Sequence, residues 1–129
     1  MKIQAWIEKS QENLTVAEWC FENGHFNACA NRMYYAMFQA GFAALLKFGI
    51  SPPKGKIGHD WLQANFSQHL IRQRKVFPAK FRSYLNDVQR IRDTADYRDI
   101  CVSKKHASKE LRTAQTFVKT IHSELLNET

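Results

Sequence analysis

Apolar residues recur along most of the chain at steps of three and four, the spacing of one face of an α-helix. Between Lys2 and Glu22, the residues Ile3, Trp6, Ile7, Leu14, Ala17, Cys20 and Phe21 fall mostly on one stripe, with Glu, Lys and Gln alternating opposite. This predicts an amphipathic surface helix. Asn23-Gly24 ends it, because both residues tolerate the left-handed conformation that closes helix C-termini. The strongest pattern runs from His25 to Phe48, where Phe26, Cys29, Ala30, Met33, Tyr34, Met37, Phe38, Gly41, Phe42, Leu45 and Leu46 repeat. Tyr35, Ala36, Ala40, Ala43 and Ala44 occupy its other faces. A helix apolar nearly all round is buried on most sides. It is expected to be the central helix, or to face both a core and a subunit interface.

Gly49 to Gly58 reads as a loop, since Pro52 and Pro53 forbid helix continuation. A short helix is expected from His59 to Leu70, with Trp61, Leu62, Phe66 and Leu70 apolar, followed by a basic connector from Ile71 to Phe77. Pro78 suits the first turn of the next helix. That helix runs to Tyr97 on Phe81, Tyr84, Leu85, Val88, Ile91 and Ala95. Ser103 is a plausible N-cap for the last helix, which is expected to reach Asn127. The prediction is an all-α bundle of four long helices and one short helix, with no strand.

Composition supports this. The chain has 129 residues, enough for one domain, and 44 % of them are hydrophobic. Gly (5) and Pro (3) are too scarce for the frequent turns of an all-β fold. No apolar run is long enough for a membrane span, and the charged N-terminus does not read as a secretory signal. The cysteines Cys20, Cys29 and Cys101 are an odd, scattered set, so a disulfide framework is not expected and a reducing cytoplasm is the expected location. The net charge is +7. Residues 47–82 carry eight Lys or Arg against the single acid Asp60. This asymmetry suits a polyanion such as RNA, or else a solvated basic face.

The chemistry of common enzyme plans is absent. The five His residues are widely spaced, with no HExxH and no Cys pair, so no metal site is expected. No glycine-rich phosphate loop precedes a helix and no GxSxG elbow is present, so no cofactor is implied. The polar concentration lies at Arg90-Ile91-Arg92-Asp93-Thr94-Ala95-Asp96-Tyr97-Arg98-Asp99. Arg92 falls on or beside the apolar stripe, where a charge is costly unless paired or opened onto a cleft. It lies four residues before Asp96, and Asp93 lies four before Tyr97, so each pair shares a face. Two readings stay open: an anion site built on the Arg92 donor fork with Tyr97 nearby, or a salt-bridge network capping the bundle.

Two stretches resemble a known family. Residues Gly24 to Phe38 resemble the A-x-x-R-x-Y-Y-A-x-F signature of HEPN domain proteins through Arg32, Tyr34, Tyr35, Ala36 and Phe38. Residues Arg92 to Tyr97 look like the R-x-x-A-D-Y ending of that family's penultimate long helix. His59, Leu62 and Phe66 sit where such chains often carry a short helix, and Ala114, Phe117, Val118 and Ile121 match the family's tail. The resemblance implies an up-and-down helical bundle that usually forms a homodimer. It also implies metal-independent ribonuclease chemistry in toxin–antitoxin, phage-defence or RNA-processing systems. There an Arg stabilises the charged phosphorane-like state, and a His after four to six intervening residues moves protons for attack by the ribose 2′-hydroxyl.

The sequence departs from that pattern where the His belongs. With Arg92 as the motif Arg, and Asp93 as its polar neighbour, the place of the His is taken by Tyr97. Counting from Arg90 puts Ala95 there, and the nearest downstream His is His106. A Tyr, with a pKa near 10, is a poor general base at neutral pH. The residues therefore fit a degenerate module that binds RNA or nucleotide and docks a partner such as a small nucleotidyltransferase. One alternative is an active ribonuclease toxin using Arg92 with Tyr97 or a His from elsewhere. A second is a structural interaction protein with no nucleic-acid role. Arg92 and Tyr97 are the catalytic candidates; Arg90, Asp93, Asp96, Arg98, Arg32, Tyr35 and His59 are the binding candidates. Arg32 is expected to pair with an acid of a neighbouring helix, and His59, opening a helix after a Gly, reads first as a cap or surface residue.

Overall fold

The computed structural model describes residues 2–126. Among these residues the chain forms five α-helices and no strand. The helices are α1 (Ile3–Glu22), α2 (Phe26–Lys47), α3 (His59–Asn65), α4 (Lys80–Tyr97) and α5 (Lys104–Leu126). The expected end of the last helix at Asn127 lies outside the described residues. No helix among the described residues is long and apolar enough to cross a membrane.

The helix ends follow from local chemistry. At the end of α1, Gly24 takes φ +78°, and the Gly24 and His25 amides donate to the Phe21 and Cys20 carbonyls at 3.2 and 2.8 Å. At the end of α2, Gly49 takes φ +79°, and the Gly49 and Ile50 amides close on Leu46 and Leu45 at 3.0 and 2.9 Å. Both are Schellman closures, which need the left-handed residue that glycine supplies without a Cβ clash. Ser103 caps α5 as expected, its Oγ accepting from the His106 amide at 3.1 Å.

Two boundaries differ from expectation. Pro78 does not sit in the first turn of α4, which begins at Lys80 with Ala79 as its N-cap. The basic connector does not begin at Ile71, because α3 continues as a π-helical segment, Phe66–Gln73. Its wider winding is seen where the Arg74 amide bonds the His69 carbonyl, five residues back, at 3.1 Å. No Pro or Gly interrupts this stretch, so helical winding persists until Lys75 takes φ 52°.

The all-round apolar character of α2 has its explanation within the single chain. It packs against α1, α3, α4 and α5 and buries Cys29, Met33, Tyr34, Met37, Phe42 and Leu45, so it is the central helix. Ser10 of α1, fully buried, donates to the Ala36 carbonyl of α2 at 2.7 Å and fixes the register of that pair. At the far end of the bundle, Phe66, Phe77, Phe81 and Phe117 make a cluster with ring centroids 5.0–5.8 Å apart. It ties the π-helical segment to α4 and α5.

On α5, the Nε2 of His122 is buried and has no hydrogen-bond partner among the described residues, and burial holds the pKa of this His below its ordinary value. The sign follows directly. Above the ordinary value of about 6.5 both folded and unfolded chains hold it neutral, and below it only the unfolded chain gains the proton. Stability is therefore expected to fall as pH drops from 7.5 to 5.5. Thermal melts of His122→Leu should show a smaller fall over that interval than the parent; an equal fall would remove His122 as the cause.

Candidate functional site

The pattern put Arg92 at the edge of the α4 stripe, and the fold places it at the α2–α4 seam with its side chain 13 % exposed. Three aromatic rings surround the guanidinium. Its Cζ lies 4.8 Å from the Tyr34 ring centroid, 5.4 Å from Tyr97 and 5.7 Å from Tyr35. Such cation–π contacts strengthen when water is displaced. The Nε donates to Asp96 Oδ2 at 3.1 Å, and Nη2 reaches the Tyr35 and Tyr97 hydroxyls, each at 3.4 Å. Nη1 makes no hydrogen bond among the described residues. Burial works against the charge, but the facing Tyr35, Tyr97, Tyr34 and Asp96 outweigh it and raise the pKa above the ordinary value. Arg92 is a fixed cation with part of its donor fork unused.

A polar chain runs from this corner across α2 to α1. Asn31 donates to Asp96 Oδ2 at 3.0 Å and accepts from Arg32 Nε at 2.9 Å. Arg32 Nη1 donates to Asn13 at 3.1 Å, and Asn13 donates to Gln39 at 2.8 Å. The Arg32 guanidinium also lies over the Tyr35 ring at 5.4 Å. The expected acid partner of Arg32 is thus replaced by two asparagines and a ring. Helix α1 offers Asn13 rather than a carboxylate at the facing turn.

The other candidates separate. Asp96 and Tyr35 touch Arg92, and Asp93 is close enough to Tyr34 to act on it electrostatically. Tyr97 is 73 % exposed, so its ring forms the outer wall of the corner. Arg90 turns outward to Asp87 at 3.7 Å, and Arg98 is exposed beyond the end of α4; neither joins the cluster. His59 opens α3 with its imidazole beside Asp60 at 3.4 Å. It lines a small apolar crevice with Tyr34, Phe38, Leu62, Leu85 and Val88. One tyrosine, Tyr34, therefore lines the crevice that holds His59 and also lies against Arg92. Burial pushes the Tyr34 phenol up to about 12, so it stays neutral and cannot serve as a base near pH 7. Tyr34, Asn31 and Asn13 were not singled out by the sequence as site residues. The paired tyrosines were the available signal for the first, whereas nothing in helical spacing marks an asparagine as one link of a network.

The HEPN domain family model matches residues 3–125. The chain belongs to the HEPN family. The "Putative toxin MJ0142" of Methanocaldococcus jannaschii is 26 % identical over 128 residues, covering 98 % of this chain and 84 % of the relative. A "UPF0332 protein" of Thermotoga maritima is 28 % identical, covering 92 % of this chain and 87 % of the relative. A second archaeal relative, "Putative toxin MJ0605", is 42 % identical over 53 residues, 41 % of this chain and 40 % of its own. In this HEPN chain the R-x-x-A-D-Y residues and the paired tyrosines meet at one corner.

Proposed function

We propose that this HEPN chain is a cytoplasmic, homodimeric module that binds RNA or nucleotide at the Arg92 corner. We place it in a toxin–antitoxin or defence-type system, docked to a small nucleotidyltransferase. The observation that carries the reading is a fixed arginine cation walled by Tyr34, Tyr35 and Tyr97, with Nη1 making no hydrogen bond among the described residues. That geometry suits a phosphate on the donor fork and a base or sugar against an exposed ring. The names of the archaeal relatives support the toxin–antitoxin setting. For the dimer, the support has moved from α2, which its own chain buries, to the exposed Tyr97 and Ile100 beside the corner. Light scattering should give twice the chain mass at micromolar concentration.

One observation favours a second reading. His59 lines the same apolar crevice as Tyr34, whose ring lies against Arg92, so an imidazole from α3 is a second candidate to move protons although Tyr97 holds the motif position. A single experiment addresses both. Labelled single-stranded RNA is titrated with the protein in the presence of chelator, over a salt series, and the RNA is then run on a gel. The binding module is expected to give saturable binding that weakens linearly in log–log form as salt rises, with intact RNA. Cleavage lost in both Arg92→Ala and His59→Ala would establish the ribonuclease instead. Absence of binding at low salt would overturn both.

A further inference from the structure

We infer that the open groove between the π-helical segment and α4 is a second nucleic-acid subsite, which takes the backbone and unpaired bases of single-stranded RNA. The inference rests on the RNA-binding reading of the Arg92 corner and extends it along α4. The groove has a volume of about 730 Å³ and a polar lining. Gln63, Gln68, Gln73 and Asn86 supply side-chain amides, while Arg72 and Arg82 supply charge from opposite walls. Amides donate and accept at once, which is what the edges of unpaired bases require. The arginine forks match phosphate oxygens. An enclosed small-molecule site would be lined mainly by apolar side chains, whereas this groove is open and all its lining residues but Ala64 carry a polar group.

Local structure explains the alignment. Residues five apart diverge in α-helical winding and come nearer to one face in π-helical winding, and Gln68 and Gln73 both line the groove. Two residues of the basic stretch, Arg72 and Arg82, line the groove. The Arg74 guanidinium lies 5.4 Å over the Phe48 ring, which ties the connector to the end of α2. Asp60 lines the groove beside His59, the one acid among residues 47–82. The groove joins the Arg92 corner through Gln63. This residue is hydrogen-bonded to Gln89 of α4 and also lines the crevice with Tyr34 and His59. From Arg82 to Arg92 is ten residues of helix, roughly 15 Å, a span for a strand rather than for one nucleotide.

The test is fluorescence anisotropy on the full chain with single-stranded oligoribonucleotides of about four and about twelve nucleotides, the range of common single-strand sites. The variants are Arg72→Gln/Arg82→Gln, Arg92→Ala, and a charge-matched control on α5, Lys105→Gln/Lys109→Gln. All groove arginines are exposed, and circular dichroism melts check that each variant folds. The groove pair is expected to weaken the long oligonucleotide by at least tenfold and to lower its salt slope by about two, leaving the short one unchanged. Unchanged binding of the long strand, an equal loss in the control pair, or equal affinity for duplex RNA would each overturn the groove while leaving the Arg92 reading intact. Loss in the groove pair with none in Arg92→Ala would overturn the Arg92 reading and uphold the groove.

Discussion

Replacing Arg92 with Ala is expected to weaken binding of single-stranded RNA by roughly ten- to a hundredfold. A hydrogen bond to a charged group contributes about 1.5–3 kcal/mol, and each 1.4 kcal/mol is tenfold in affinity. Among the described residues, Arg92 is the cation that lies against all three rings of the Tyr34–Tyr35–Tyr97 corner, and its whole Nη1 group makes no hydrogen bond there. Arg32 is committed to Asn31 and Asn13. Arg90 and Arg98 point away or lie beyond the helix. The variant also leaves Asp96 facing Asn31 alone, adding a carboxylate's repulsion to the lost attraction. Arg92→Lys sharpens the test. It keeps the charge but not the planar fork, so the salt slope should match the parent while affinity still falls. If both variants bind as the parent does, with folding intact by circular dichroism, Arg92 does not contact the ligand.

The helices were legible because their signals are local. The three–four periodicity, the Asn23-Gly24 stop and the Ser103 cap depend on residues within a turn or two of each other. The π-helical winding at Phe66–Gln73 was not legible. It depends on how the segment spans from α3 to the phenylalanine cluster, and its composition differs little from that of an α-helix. The same division holds at the site. Arg92 stood out as a charge on an apolar stripe, and its i,i+4 pairing with Asp96 follows from helical spacing alone. The partners of Arg32 were misread because the helix facing it is set by packing. Position 13 turned out to be the residue opposite, and it is an asparagine. The polar groove was invisible for the same reason: glutamines and arginines scattered over residues 63–86 look like ordinary solvated positions until α4 is laid beside them.

The largest effect on stability is expected from Phe117→Ala. Phe117 is fully buried and packs on Phe66 at 5.4 Å and Phe81 at 5.0 Å between ring centroids. Removing a buried aromatic ring costs about 3–5 kcal/mol, the upper part when the surroundings cannot collapse. Here they cannot collapse easily, because Phe66, Phe77 and Phe81 stack on one another and are held by three separate segments. For a chain of this size the loss corresponds to a fall in Tm of roughly 10–20 °C. The cluster sits at the first turn of α4, whereas Arg92 lies three helical turns further on, roughly 16 Å away. At a temperature where the variant is folded, it should therefore bind RNA at the Arg92 corner as the parent does. Arg92→Ala should do the reverse, lowering affinity while moving Tm much less. A Phe117→Ala protein that is folded but has lost binding would mean that the phenylalanine cluster and the tyrosine corner are coupled through α4. That outcome would count against treating the corner as a site built from its nearest neighbours alone.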